Sequence, residues 1–291
     1  MAPVERPPGG ADMPVLERPD GATIHYEVTG DGPPLLALAP GIVNSEVESW
    51  ASWPVDPVAA FRDRFTVITM DQRHAGASLA PAVPFGYGQT AADQLAVLDA
   101  LGAGRVVVYG AGIGANHALR LAHDAPGRVA VAVLHAPLGL DDTKTLGAFF
   151  RLFQETMRLA RADGLEAVID AALANPRFDE NPAAGPFGRR LHADPAFRQE
   201  MRDKGRERYV VRVVRFRDGM FPAGRPLFSV PGDWLARCEV PLVVIPVDDA
   251  LHPRGAAQRL AEEVPRARLL EGAAPDEIIE AARSLLAEPV Q

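Results

Sequence analysis

Cysteine is all but missing from this chain. Cys238 is the only one in 291 residues, so no disulfide framework can hold the fold, and a reducing interior suits it. Long apolar runs are missing too. Nothing approaches the roughly 20 residues needed to span a bilayer, and residues 1–10 lack the apolar stretch of a secretory signal. They are expected to form a loose Pro/Gly-rich leader. Positive charge is in deficit, with 30 Lys and Arg against 38 Asp and Glu and a formal net charge of −8. That balance disfavours a nucleic-acid partner, because phosphate binding needs a net basic face. Metal-ligand spacing is also absent: the seven histidines are scattered and the lone cysteine has no partner. Gly110-Ala-Gly-Ile-Gly114 lacks the final spacing of a dinucleotide fingerprint, and no acidic residue ends a second strand about twenty residues on. A cytoplasmic protein without cofactor or metal is expected, with a homodimer left open.

What is present is an alternation of strand and helix signals. Residues 21–30 alternate apolar and polar and close on Gly-Asp-Gly, as a strand ending in a turn does. Residues 35–40, 106–109, 129–134 and 241–247 are short continuous apolar runs, the pattern of strands covered on both faces, and 267–271 is a last short one. Leu95, Leu98 and Leu101 give 90–101 a helical period, and helices are expected at 115–123 and 276–286. At 47% hydrophobic residues, one α/β core with an insertion suffices. Between His135 and Pro241 the pattern is helical throughout. Leu146, Phe149, Phe150, Phe153, Met157 and Leu159 mark one side of a helix over 143–162, and 165–173 and 195–216 continue in the same way. The division expected is a core of residues 1–140 and 236–291 with a helical cap at 141–235. Within the cap, Arg198 to Arg217 form a basic run interleaved with Glu200, Asp203, Glu207 and Asp218, read as a solvated face with i,i+4 pairs.

Val106-Val-Val-Tyr-Gly-Ala-Gly-Ile-Gly-Ala115 places a β-branched strand before a glycine turn and a helix. This resembles the G-x-S-x-G nucleophile elbow of the α/β-hydrolase fold superfamily, with Gly112 where the nucleophile belongs. Asp71-Gln-Arg-His-Ala-Gly-Ala-Ser78 resembles the family's D-x-R-G-x-G-x-S, with His74 in place of a glycine. Pro40-Gly41-Ile42 resembles its oxyanion loop, and Pro241 to Pro253 its acid motif, with the acid at Asp249. The resemblance covers nearly the whole chain. It implies an α/β-hydrolase fold: a mostly parallel eight-stranded sheet flanked by helices, with a lid over its carboxyl edge. The family's histidine belongs in the loop after the last strand, but 271–277 contains none.

Hydrolysis by this fold needs a nucleophile, a histidine and a carboxylate, and on this reading only Asp249 survives, a degenerate triad. His252, His135 and His74 are candidate displaced histidines, since each should reach the sheet's carboxyl edge. The resemblance leaves the amides of Ile113 and Ile42 as an oxyanion hole beside Gly112, with each such donor worth roughly 3–4 kcal/mol. The expectation is therefore a cofactor-free, non-hydrolytic enzyme of bacterial secondary metabolism that rearranges, cyclises, eliminates or couples an oxygenated apolar molecule. Proton transfer falls to His252 with Asp249, to His135, or to substrate and water. Two alternatives stand beside it: a hydrolase that activates water directly through Asp249 or His252, and a non-catalytic binding protein. Trp50 and Trp53 either line the pocket entrance or pack. Asp71 and Arg73 are expected to form a buried pair, and Asn116 and His117 to face neighbouring helices rather than the pocket.

Overall fold

A computed structural model describes residues 14–142 and 145–287; the leader expected at 1–10 lies outside them. The first half of the chain folds as β1 (Val15–Glu17), β2 (Thr23–Thr29), β3 (Pro34–Leu38), α1 (Pro57–Phe61), β4 (Thr66–Met70), α2 (Tyr87–Ala100), β5 (Val106–Ala111), α3 (Ile113–Asp124) and β6 (Val129–His135). Five helices follow: α4 (Leu146–Arg151), α5 (Gln154–Ala162), α6 (Leu165–Ala174), α7 (Gly188–Ala193) and α8 (Pro195–Met220). The chain then returns through β7 (Leu242–Ile245), α9 (Arg254–Glu263), β8 (Ala267–Leu269) and α10 (Pro275–Ala287).

The strands form one eight-stranded sheet in the order β1-β2-β4-β3-β5-β6-β7-β8. Only β1–β2 and β2–β4 pair antiparallel; from β4 to β8 every pairing is parallel. Parallel strands need crossovers that cover both faces, and the burial follows. Leu36, Leu38, Ile68, Val106 and Val108 pack on the face that holds α2, α3 and α9. Their neighbours Leu35, Ala37, Val67, Val107 and Tyr109 pack on the other, with Phe61 of α1 and Ile278, Ile279 and Leu285 of α10. This is the architecture expected from the sequence. No described helix is long and apolar enough to cross a membrane.

Between β6 and β7, helices α4 to α8 enclose an aromatic cluster of their own. Phe149, Phe153, Phe187, Phe197 and Phe216 are buried there together with Ile113, Leu138 and Val43 from below, so the inserted helices sit on the elbow. Two expected helices differ in detail. The one over 143–162 begins outside the described residues and is broken at Leu152–Phe153 into α4 and α5. α8 is interrupted at Gly205, whose φ of 77° and ψ of 165° leave the helical region. The basic run on α8 is paired, but only partly by the expected spacing: Lys204 meets Glu200 at i,i+4, while Arg212 reaches Glu200 from across the Gly205 break and Arg202 reaches Glu166 of α6.

Candidate active site

The turn between β5 and α3 brings a strand and a helix so close that two of its glycines are obligatory. A Cβ on Gly110 would overlap the carbonyl of Gly114, and a Cβ on Gly114 would overlap the carbonyl of Leu38. Gly112 is different. Its φ of 52° and ψ of −125° lie in the region that favours glycine, yet a Cβ there would meet nothing nearer than Gly41 O at 3.2 Å. Position 112 would hold a side chain only in tight contact with Gly41 O, and it presents none.

The nearest side-chain atom to that Cβ position is His252 Nε2, at 3.5 Å. His252 stands three residues after Asp249, and the pair is built by one tight turn. Asp249 Oδ1 accepts the backbone N–H of Leu251 at 2.9 Å and that of His252 at 3.0 Å. Both carboxylate oxygens lie 2.9 Å from His252 Nδ1. Burial works against the charge on Asp249, but the Leu251 N–H and the His252 ring overcome it and hold the carboxyl below its usual range. With Nδ1 donating to the carboxylate, the lone pair falls on Nε2. That nitrogen is buried, and among the described residues it has no hydrogen-bond partner. The sequence has no histidine at the family's usual place and offers His252 with Asp249 as a displaced candidate. The loop after β8 does lack a histidine, but the acid loop supplies a ring that faces the elbow.

His135, at the end of β6, is buried, and its Nδ1 accepts from Trp53 Nε1 at 3.3 Å and lies 2.8 Å from the Tyr109 hydroxyl. Since indole N–H can only donate, Nδ1 is the acceptor and the ring proton sits on Nε2. Desolvation, with repulsion from His252, lowers its pKa to about 4. The Trp53 ring meets both imidazoles edge-on, at 5.3 Å from His135 and 6.1 Å from His252. Trp53 is thus at the site. Trp50 is not: it stacks on Tyr109 at 5.6 Å within the core on the α10 side, so of the two places open to it, pocket lining and packing, it takes packing, and it is withdrawn from the candidate binding residues.

The expected oxyanion amides are both engaged. Ile113 N–H donates to Gly41 O at 3.3 Å. Ile42 N–H donates to Asp179 Oδ2 at 3.0 Å, and Val43 N–H to Asp179 Oδ1 at 3.3 Å. No local pattern marked Asp179, which reaches the site from the turn after α6. His74, the third candidate histidine, packs between Phe187 and Phe216 at 5.5 Å from each and is away from the Asp249–His252 pair in its contacts. Its φ of 67° explains why the family pattern has glycine at that place.

The expected Asp71–Arg73 pair does not form. Asp71 Oδ2 lies 2.8 Å from His25 Nδ1, and the carboxylate also accepts Val47 N–H and Ala77 N–H; Arg73 turns to Asp93 and Asp20. Asn116 ties α3 to Leu138 and Leu227, and His117 meets Thr90 of α2 at 3.0 Å, both away from the pocket. Among the described residues no group of three metal-ligating side chains gathers.

Over residues 34–196 the sequence matches a family described as having the α/β hydrolase fold. A Caulobacter vibrioides protein provisionally named carbamate hydrolase RutD is 29% identical over 249 residues, 84% of each chain. Among solved structures, a hydrolase from Pseudomonas aeruginosa PA01 superposes with a TM-score of 0.62 at 23% identity, covering 96% of this chain and 100% of the other. The enol-lactonase of Burkholderia xenovorans LB400 gives 0.56 at 20% identity, over 94% and 96%.

Proposed function

The chain belongs to the α/β-hydrolase fold family, and from that premise we propose that it is a hydrolase in which the Asp249–His252 pair activates water directly. The expectation of a non-hydrolytic, secondary-metabolic lyase or isomerase is overturned. It rested on losing both nucleophile and histidine, whereas the relative matched over 84% of the chain is named a hydrolase and a histidine faces the elbow. The observation that carries the reading is His252 Nε2: buried, unpartnered among the described residues, oriented by Asp249, and 3.5 Å from the Cβ position of Gly112.

A water that accepts the place a serine hydroxymethyl would fill lies within hydrogen-bond reach of Nε2. His252 takes its proton as the oxygen attacks a carbonyl carbon, and Asp249 stabilises the imidazolium. The tetrahedral oxyanion turns to the amides of Ile113 and Ile42 beside Gly112, displacing Gly41 O and Asp179 from them, as in the family's oxyanion hole. Collapse breaks the bond to the leaving alkoxide or amine, which takes the proton back from His252. The products are an acid and an alcohol or amine, and no acyl-enzyme intervenes. Esters, lactones and carbamates share the carbonyl this needs. Trp53 holds the His252 ring edge-on, and His135, kept neutral by burial, adds no competing charge.

The test is turnover of a panel of carbamate, lactone and p-nitrophenyl ester substrates with rapid-mixing detection. The expected result is linear release from the first turnover, with His252→Ala lowering kcat/KM by about 10²–10⁴. A burst stoichiometric with protein, or tight binding of every substrate recovered unchanged, would sink the reading.

A further inference from the structure

Asp179 sits where an oxyanion should. Its two oxygens take the N–H groups of Ile42 and Val43 at 3.0 and 3.3 Å, on the loop that follows β3 and borders the elbow. A Cβ on Gly41 would stand 3.0 Å from Asp179 Oδ2, and Gly41 O and N lie 3.2 and 3.5 Å from the Cβ position of Gly112. The carboxylate is therefore one residue from the point of attack. We propose that Asp179 is an internal competitor for the oxyanion position: the carboxylate carried by the inserted helical segment must leave the Ile42 amide before a substrate's carbonyl oxygen can take it. This rests on the hydrolytic reading for its purpose, but not for its geometry.

Charge pairing argues that the contact is not a permanent strut. The charged groups on the surrounding elements are Glu46 and Glu48 after β3, Arg177 and Glu180 beside Asp179 in its own turn, and Arg189 on α7. They satisfy one another: Arg177 and Arg189 each reach Glu46 at 2.9 Å, Arg177 reaches Glu180 at 2.7 Å and Arg189 reaches Glu48 at 3.2 Å. Among the described residues none forms an ion pair with Asp179. Desolvation outweighs its two backbone hydrogen bonds and pushes its pKa up to about 6, with Glu46 adding repulsion and Arg177 offsetting part of it. A carboxylate held this weakly yields its amides to a better acceptor. An anion left in place would instead repel the charge that develops on the carbonyl oxygen.

The experiment measures binding of an alkyl phosphonate monoester, an anionic tetrahedral probe, by calorimetry at pH 7.5 to the wild-type protein, Asp179→Asn and Asp179→Ala. The expected result is at least a tenfold lower Kd in both variants. Asp179→Asn keeps the shape and removes the charge, so it remains informative if the alanine variant unfolds. An unchanged or higher Kd in folded Asp179→Asn would overturn the proposal and return Asp179 to a structural tie, which would show instead as a lower Tm. The probe needs no turnover, so the same comparison in a His252→Ala background separates this proposal from the hydrolytic one. Tighter binding without hydrolysis of any substrate by any variant sinks only the latter, and hydrolysis with equal Kd values sinks only the former.

Discussion

His252 Nε2 and the α-carbon of Gly112 face each other across a gap the length of one side-chain bond and one hydrogen bond: a Cβ on Gly112 would stop 3.5 Å short of the nitrogen. A serine hydroxyl added there would point into that gap. Gly112→Ser is therefore expected to convert direct water attack into covalent catalysis, giving a burst of p-nitrophenol stoichiometric with protein and an acyl adduct detectable by mass spectrometry. The φ of 52° at this position makes any side chain strained, so the variant should lose about 1–3 kcal/mol of stability in denaturant unfolding. Absence of any adduct in the folded variant would show that His252 is not aimed as described.

Asp249 makes its contribution through one oxygen as much as through its charge. Oδ1 accepts two backbone N–H groups and approaches the ring, and an asparagine oxygen can do the same. Asp249→Asn should keep the turn and the ring orientation while removing the charge that stabilises the imidazolium. The expected outcome is a kcat lower by on the order of 10² with KM little changed. A raised KM at constant kcat would instead assign Asp249 to substrate binding.

Much of this was legible in the chain, and the failures have a common cause. Strands β3, β5, β6 and β7 announced themselves because both faces are buried and the runs are largely apolar, β4 through the motif that follows it, and the elbow because Gly110 and Gly114 cannot be anything else. β1 was missed: it is three residues long, at the sheet edge, with Val15 and Glu17 exposed, so it carries no hydrophobic period. His252 was among the candidates, but its aim depends on an Asp249 turn whose direction no periodicity encodes. Asp179 contacts Ile42 across 137 residues, and Arg73 finds Asp93 rather than the nearer Asp71. Contacts of that kind are set by packing, and local pattern is silent about them.

Arg73 and Asp93 offer a test of that packing. Asp93 is fully buried and accepts from Arg73 and from Arg18, while Arg73 also reaches Asp20 at 2.6 Å. Asp93→Ala strands the Arg73 guanidinium with one partly exposed partner. The loss expected is about 3–5 kcal/mol, read as a lower denaturation midpoint. Replacing both residues by apolar ones, Arg73→Met with Asp93→Leu, should recover part of it, and a double variant less stable than Asp93→Ala would contradict the account.

Acid sensitivity follows from three histidines that burial keeps neutral. Desolvation lowers the pKa of His74 and His117 to about 3 and of His135 to about 4, against about 6.5 in the unfolded chain. Below pH 6.5 the unfolded state takes up protons that the folded state refuses, so stability falls as pH falls from there toward 4. Two groups act differently. His25, raised by its bond to Asp71, contributes stability that is fully present in this window and is lost only at higher pH. Asp179, raised to about 6, gains a proton on the folded side first and offsets one of the three. A net uptake of about two protons gives a slope of about 2.7 kcal/mol per pH unit at its steepest. Denaturant midpoints at pH 7.5, 6.0 and 5.0 should therefore fall in that order. His74→Phe should flatten the decline, since its ring packs on Phe187 and Phe216 and its Nδ1 has no partner among the described residues. A midpoint that holds level from pH 7.5 to 5.0 would mean that these rings reach water in the folded protein, and the packing of the inserted helices on the elbow would have to be looser than described.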